Sequence, residues 1–360
     1  MCEIRDDGDT GNAGTKTVPV DEAVGMVLCH DITEIRPGEF KGRAFKKGHI
    51  VRREDIGRLR QLGKERLFIL EIKEDEMHEN DAAHAVARAL AGPGVRPEGE
   101  PVEGKINLVA ERDGLLEVRR DALLEFNMLG EVMCATLHSN SVVRKGQVVA
   151  AARAIPLVVK KAVIGKAAGT AEAAGGVVTV KQMRRPKAGI VITGNEVYYG
   201  RVRDAFEKVI TGKIKKFGGE ITGVYFAPDD AGFIEERIKA LTDAGADLII
   251  TTGGMSVDPD DVTRFAVRNS GAQELLYGSP VLPGAMFLVA YCNTGSGPGT
   301  VPVLGIPACG MYAAVTVFDL ILPRILAGER IGRRELAELG HGGLCLKCRK
   351  CRYPVCPFGK

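Results

Sequence analysis

The residues with the most chemistry in this chain form the run Thr251-Thr252-Gly253-Gly254-Met255-Ser256-Val257-Asp258-Pro259-Asp260-Asp261-Val262-Thr263. It directly follows the apolar stretch Asp247–Ile250. A buried strand that empties into paired glycines and then into three carboxylates is the layout of an anion and metal site. Gly253 and Gly254 let backbone N–H groups approach a phosphate or a ring system. Asp258, Asp260 and Asp261 are suited to holding a hard cation or placing a water. A structural reading stands beside this one: Asp258-Pro259-Asp260 is also a good turn, and Asp261 is a helix cap before Val262.

The second concentration of chemistry is Cys345, Cys348, Cys351 and Cys356, four thiols within twelve residues. Their spacing suits one tetrahedral Zn²⁺ or an iron–sulfur cluster, although the last gap is one residue longer than in the ferredoxin run. Lys347, Arg349, Lys350, Arg352 and Lys360 offset the charge of four thiolates. Redox-active thiols or a reduced, disordered tail are the metal-free readings. The other cysteines are scattered, and the six histidines show no ligand spacing.

These groups need elements to position them. With 360 residues the chain is expected to hold two or three domains. Its 45% hydrophobic and 26% charged content is that of a globular protein, and a net charge of +3 does not point to nucleic acid. No apolar run reaches membrane-spanning length, and Met1–Asp7 has no secretory character, so a cytoplasmic location is expected, with thiols rather than disulfides. Residues 1–16 read as a disordered tail, 17–100 as a mixed α+β segment and 101–182 as a small β-rich domain, a barrel or a sandwich. Residues 186–330 alternate strands and helices, with strands at Ala188–Thr193, Ile221–Phe226, Asp247–Thr251, Met286–Tyr291 and Val301–Gly305. Helices are expected over Asp204–Phe217, Ile234–Ala244 and Met311–Ile325. This predicts an α/β, doubly wound, mostly parallel sheet with ligands at the carboxyl ends of its strands. Residues 341–360 complete the chain as the cysteine-rich, metal-binding tail.

The α/β region resembles the molybdopterin-binding domain shared by molybdenum insertases, molybdopterin adenylyltransferases and CinA-type proteins. Thr193–Gly218 is similar to the family pattern of threonine or glycine, glycine, an acidic pair, Gly-x-x-x-Asp and a helix ending in glycine, with Asp204 at the aspartate. Asn195 replaces the first acid of the pair, and Ala205-Phe206 replace a small residue and an asparagine. Gly253–Val257 is similar to the insertase form of the loop and Pro259–Thr263 to the CinA and adenylyltransferase form, while Asp261 matches an aspartate in all three. Gly305–Gly310 stands in place of the insertase Gly-Leu-Pro-Gly-Asn-Pro loop, with Cys309 as a novelty. Residues 17–72 are similar to the insertase N-terminal region, so the resemblance covers about two thirds of the chain.

The resemblance implies that molybdopterin, or its adenylylated form, lies along Gly194, Gly253, Gly254 and Ser256, with Thr193, Glu196, Thr252, Asp258, Asp260 and Pro307 completing the site. It implies Asp261 and Asp204 as the catalytic pair, holding Mg²⁺ or positioning molybdate or a nucleotide phosphate. The function implied is an insertase- or adenylyltransferase-like enzyme of molybdenum cofactor biosynthesis, assembled as a homo-oligomer. The alternatives are a non-catalytic molybdopterin carrier or sensor, whose tail docks a molybdoenzyme or maturation partner, and a CinA-like nucleotide pyrophosphatase. Neither nucleic acid nor membrane is expected as a partner.

Overall fold

The computed structural model describes residues 16–36, 40–70, 72–255, 262–293 and 300–360. They form two compact units. The first takes the described residues up to 112 with 117–137 and 143–180, and the second takes 181–360 with 113–116 and 138–142.

In the first unit, strand Arg66–Leu70 pairs antiparallel with both Lys16–Pro19 and Val27–Leu28. Val18, Leu28, Leu59, Leu67 and Ile69 close a small core there. A four-stranded antiparallel sheet follows, in the order Val132–Thr136, Val148–Ala154, Lys105–Ala110 and Val95–Val102. Helix Glu79–Leu90 lies on it and buries Ala82, Ala83, Val86, Ala87 and Leu90, the three-and-four spacing of one helical face. The stretch expected to be β-rich also holds two helices, Arg120–Asn127 and Lys161–Ala173. The second is alanine-rich, and Ala is the best helix former.

Glu79 is buried at the start of its helix, and desolvation pushes its carboxyl above the usual carboxylate range despite the pull of His78 and Arg153. The folded state therefore holds this proton more tightly than the unfolded chain. The resulting stabilisation is present below the unfolded value of 4.5 and is lost as pH rises through the folded one. Glu79→Gln is expected to melt higher than the parent at about pH 7 and to lose that advantage near about pH 4. Thermal melts at the two pH values check this.

The second unit is built on a six-stranded sheet: β1 (Lys187–Thr193), β2 (Glu220–Ala227), β3 (Leu248–Thr252), β4 (Ala272–Tyr277), β5 (Leu288–Asn293) and β6 (Thr300–Ile306). Their spatial order is β2-β1-β3-β6-β5-β4. The first four in that order are parallel, and β5 and β4 add antiparallel. On one face Ile190, Ile192, Ile250 and Leu304 pack with α1 (Phe206–Lys216) and α4 (Val317–Leu326). On the other, Val191, Ile249 and Val303 pack with α2 (Ala231–Asp243) and α3 (Thr263–Asn269). Apolar residues on both faces of each central strand are what a covered parallel sheet requires. This is the α/β, doubly wound, mostly parallel fold expected. Among the described residues no helix is long and apolar enough to cross a membrane.

Candidate functional site

The parallel strands β1 and β3 end side by side, with Ile192 opposite Thr252. Thr193 is buried there, and its hydroxyl donates to the Thr252 carbonyl at 2.7 Å and lies 3.0 Å from the Thr263 hydroxyl. One side chain thus ties together two strand ends and the start of α3. Gly253 (φ +79°) and Gly254 (φ +55°) turn the chain beside this knot. A Cβ on Gly253 would collide with the Thr193 carbonyl, and one on Gly254 with the Thr263 hydroxyl. The hydroxyls of Thr251 and Thr252 are fully buried and have no hydrogen-bond partner among the described residues.

A cavity of about 1030 Å³ opens at these strand ends. Thr193, Glu196, Asp204, Gly253, Gly254 and Pro307 line it, so six of the residues expected at the site share one wall system. Gly194 and Thr252 lie adjacent in sequence to lining residues; Gly194 (φ +137°) donates its N–H to the Ala227 carbonyl at 3.2 Å. Asp204 does defined structural work: its two carboxylate oxygens accept from the N–H groups of Phe206 at 2.9 Å and Glu207 at 2.8 Å, capping α1. Asn195 forms a reciprocal pair with Asp229, its N–H donating at 3.0 Å and its amide oxygen accepting at 3.3 Å. The amide at that position suits this pairing, because a carboxylate there would face Asp229. Ser256, Asp258, Asp260 and Asp261 lie outside the described residues.

The cysteine tail returns to the same cavity. Cys345, Cys348, Cys351 and Cys356 all line it, with Lys347, Arg352 and Cys309. Cys345 and Cys356 pack against the α/β core, whereas Cys348 and Cys351 are exposed. Among the described residues no three His, Cys, Asp or Glu side chains stand close enough together to hold a metal ion. Burial pushes the Cys309 thiol above its ordinary value. The sequence carries no signal for the wall formed by Leu282–Met286 or for the return of the tail, because these contacts join residues far apart in sequence.

An α/β sheet with a cavity at the ends of its parallel strands, beside a paired-glycine turn, belongs to the doubly wound ligand-binding class. Residues 189–327 match a family described as a probable molybdopterin binding domain. Residues 17–71 match a Domain of unknown function (DUF8806). The chain is 37% identical over 95 residues to a CinA-like protein of Mycobacterium avium and 36% identical over 90 residues to one of Mycobacterium tuberculosis. These matches take 26% and 25% of this chain and only 22% and 21% of the relatives. Among solved structures, the molybdopterin biosynthesis enzyme MoaB of Thermus thermophilus is similar at 19% identity and a TM-score of 0.33, over 40% of this chain and 98% of that one. A molybdopterin biosynthesis MoeA protein of Pyrococcus horikoshii is similar at 17% identity and a TM-score of 0.32, over 74% and 80%. The α/β domain belongs to the molybdopterin-binding domain superfamily.

Proposed function

We propose that this domain binds molybdopterin or its adenylylated form in the cavity at the ends of β1 and β3, as an insertase- or adenylyltransferase-like enzyme of molybdenum cofactor biosynthesis. The observation that carries this reading is the cavity itself, which adjoins the Gly253–Gly254 turn within the segment matched by the molybdopterin family. Arg203, Lys347 and Arg352 line the cavity and favour an anion, while its apolar walls suit a ring system. Asp261, with Asp204 or Asp260, would hold Mg²⁺, which supplies charge neutralisation for a phosphate or for molybdate. The tail thiols would take Zn²⁺ or an iron–sulfur cluster, and the metal-loaded tail would dock a molybdoenzyme or maturation partner. A homo-oligomer is part of the same proposal, read by sedimentation.

Two other readings each have an observation behind them. The hydrogen bonds that engage Thr193 and Asp204 favour a carrier or sensor, since both groups have structural duties. Identity to CinA-like proteins favours a nucleotide pyrophosphatase. Calorimetric titration with molybdopterin and its adenylylated form, with and without Mg²⁺, separates them. Micromolar binding with a Mg²⁺-dependent preference for the adenylylated form supports the enzyme. Binding without that preference supports the carrier, and binding of neither leaves the pyrophosphatase.

Asp204→Asn gives a finer test, because the amide keeps one of the two capping bonds while removing the charge. The variant is expected to lose about 1 kcal/mol of stability and to bind the adenylylated ligand about tenfold more weakly in Mg²⁺. Unchanged binding would remove Asp204 from the site and leave it a cap.

A further inference from the structure

The six-stranded sheet of the second unit ends at β2, which pairs with β1 and with no other strand among the described residues. An open edge presents a row of unpaired N–H and C=O groups to any further strand, and proteins guard such edges with proline, lysine or other charged side chains. β2 holds neither proline nor lysine. Its register with β1 slips once, at Thr222, and Gly223–Ala227 runs regularly beyond that point. The opposite edge, β4, is guarded: it carries Gln273 and Glu274, and Glu274 accepts from the Arg330 guanidinium at 3.0 Å.

The side chains along the β2 edge are aromatic where water would favour polar ones. Tyr225 and Phe226 are 37% and 38% exposed, and as neighbours in a strand they stand on opposite faces of the sheet. At the exit of β2 the short helix Asn195–Tyr198 packs on the strand and adds the exposed rings of Tyr198 and Tyr199. An exposed apolar patch rimmed by charge marks a contact surface, and aromatic residues are enriched in such contacts. The charges here are arranged by end. Lys215 and Lys216 close α1 just before β2, exposed and without an ion pair among the described residues, while Asp229 and Asp230 follow the strand directly. Asp229 accepts from the Asn195 N–H at 3.0 Å and Asp230 from the Phe233 N–H at 2.8 Å, which fixes both carboxylates at that end.

We propose that two copies of this chain join antiparallel through their β2 edges, making one continuous sheet that runs through both. The occupant of the edge is a second copy because the edge is complementary to itself. A two-fold axis sets the lysine end of one copy beside the aspartate end of the other, whereas a parallel join would bring like charges together. The proposal rests on the homo-oligomer reading given above and not on what the cavity binds. It also places the ligand sites. The parallel strands of one copy all end on the same side, so the antiparallel join sets the two cavities at opposite ends of the shared sheet, and each is built from one copy alone.

Sedimentation velocity of the full chain over a concentration series is the first test, and the parent is expected to dimerise at micromolar concentration. Phe226→Lys puts a charge on the edge and should weaken the dimer about a hundredfold, the loss ordinary for a central aromatic contact. Lys215→Glu/Lys216→Glu should weaken it about tenfold at low salt, and the deficit should close near about 1 M NaCl, where the screening length is about 3 Å. Hydrogen exchange on the parent needs no variant to fold. The β2 amides should exchange about tenfold more slowly where dimer dominates than where monomer does, and those of β4 should not change. A parent that stays monomeric would overturn this contact and the homo-oligomer reading together. Dimerisation with unprotected β2 amides, and undiminished in Phe226→Lys, would overturn this surface and leave the homo-oligomer reading standing.

Discussion

Gly253→Ala is expected to destabilise the α/β domain by about 3 kcal/mol and to abolish ligand binding in the cavity. The backbone at this position has a φ of +79°, a conformation that costs an L-residue about 1–2 kcal/mol. The added methyl would also run into the Thr193 carbonyl and hydroxyl, and overpacking of this kind costs about 1–3 kcal/mol. Thr193 has no room to retreat, because its hydroxyl is bonded to the Thr252 carbonyl and packed on Thr263. Gly245 separates the two costs: its φ is +88°, and nothing lies within 4 Å of a Cβ there. Gly245→Ala should show only the conformational cost, about 1–2 kcal/mol, with binding retained. Denaturant titration of the full chain reads both. Equal losses in the two variants would mean that the contact with Thr193 is not what demands glycine at 253.

The outcome would also settle what the paired glycines are for. Read from sequence, they are there so that a ligand can approach the backbone. In the structure their bare Cα atoms first of all admit Thr193 and Thr263, and any ligand benefits from a turn already fixed by packing.

That shift of meaning marks how far sequence reading reaches in this chain. The central strands were legible because unbroken runs such as Ile190-Val191-Ile192 and Leu248-Ile249-Ile250 are buried on both faces and leave no other choice. The strand Ala272–Tyr277 was not, because Gln273 and Glu274 interrupt its apolar pattern at the edge of the sheet, where only one neighbour pairs with it. The helix expected from Met311 begins instead at Val317, after a short 3₁₀ turn over Ala308–Met311. Its start is set by a capping box between Thr316 and Asp319, a signal present in the sequence and outweighed by the longer apolar run. For the site, Thr193, Gly253 and Gly254 line a cavity at the strand ends, where topology puts such residues, and Asp204, singled out for its charge, carries the cap of α1. The return of the tail escaped because contact between residues 344–358 and a cavity built from residues 192–315 is long-range, with no local period to betray it.

Asp319 gives the second large expectation, and it joins stability to the cavity. Its carboxylate receives the Lys213 ammonium at 2.5 and 2.6 Å, with side-chain exposures of 13% and 18%, and it also accepts from the Thr316 N–H at 2.8 Å. Lys213 donates in addition to the Ala314 carbonyl at 3.2 Å. The pair thus fixes α1, the start of α4 and the segment 313–315 between them, and that segment lines the cavity. Asp319→Ala removes the cap and strands a largely buried ammonium. For a fully buried pair that costs about 3–5 kcal/mol, and the residual exposure here reduces it to roughly 2–3 kcal/mol. Lys213→Met alone leaves the carboxylate its Thr316 contact and should cost less. In the double variant neither charge is left unpaired, so the combined loss should fall short of the sum of the single losses by about 1 kcal/mol or more. Additive losses would show that the two side chains act separately and that the ion pair does not hold the wall. Coupled losses accompanied by weaker ligand binding in Asp319→Ala would place the ion pair among the supports of the site, because loosening 313–315 disorders a surface that a bound ligand must then pay to order.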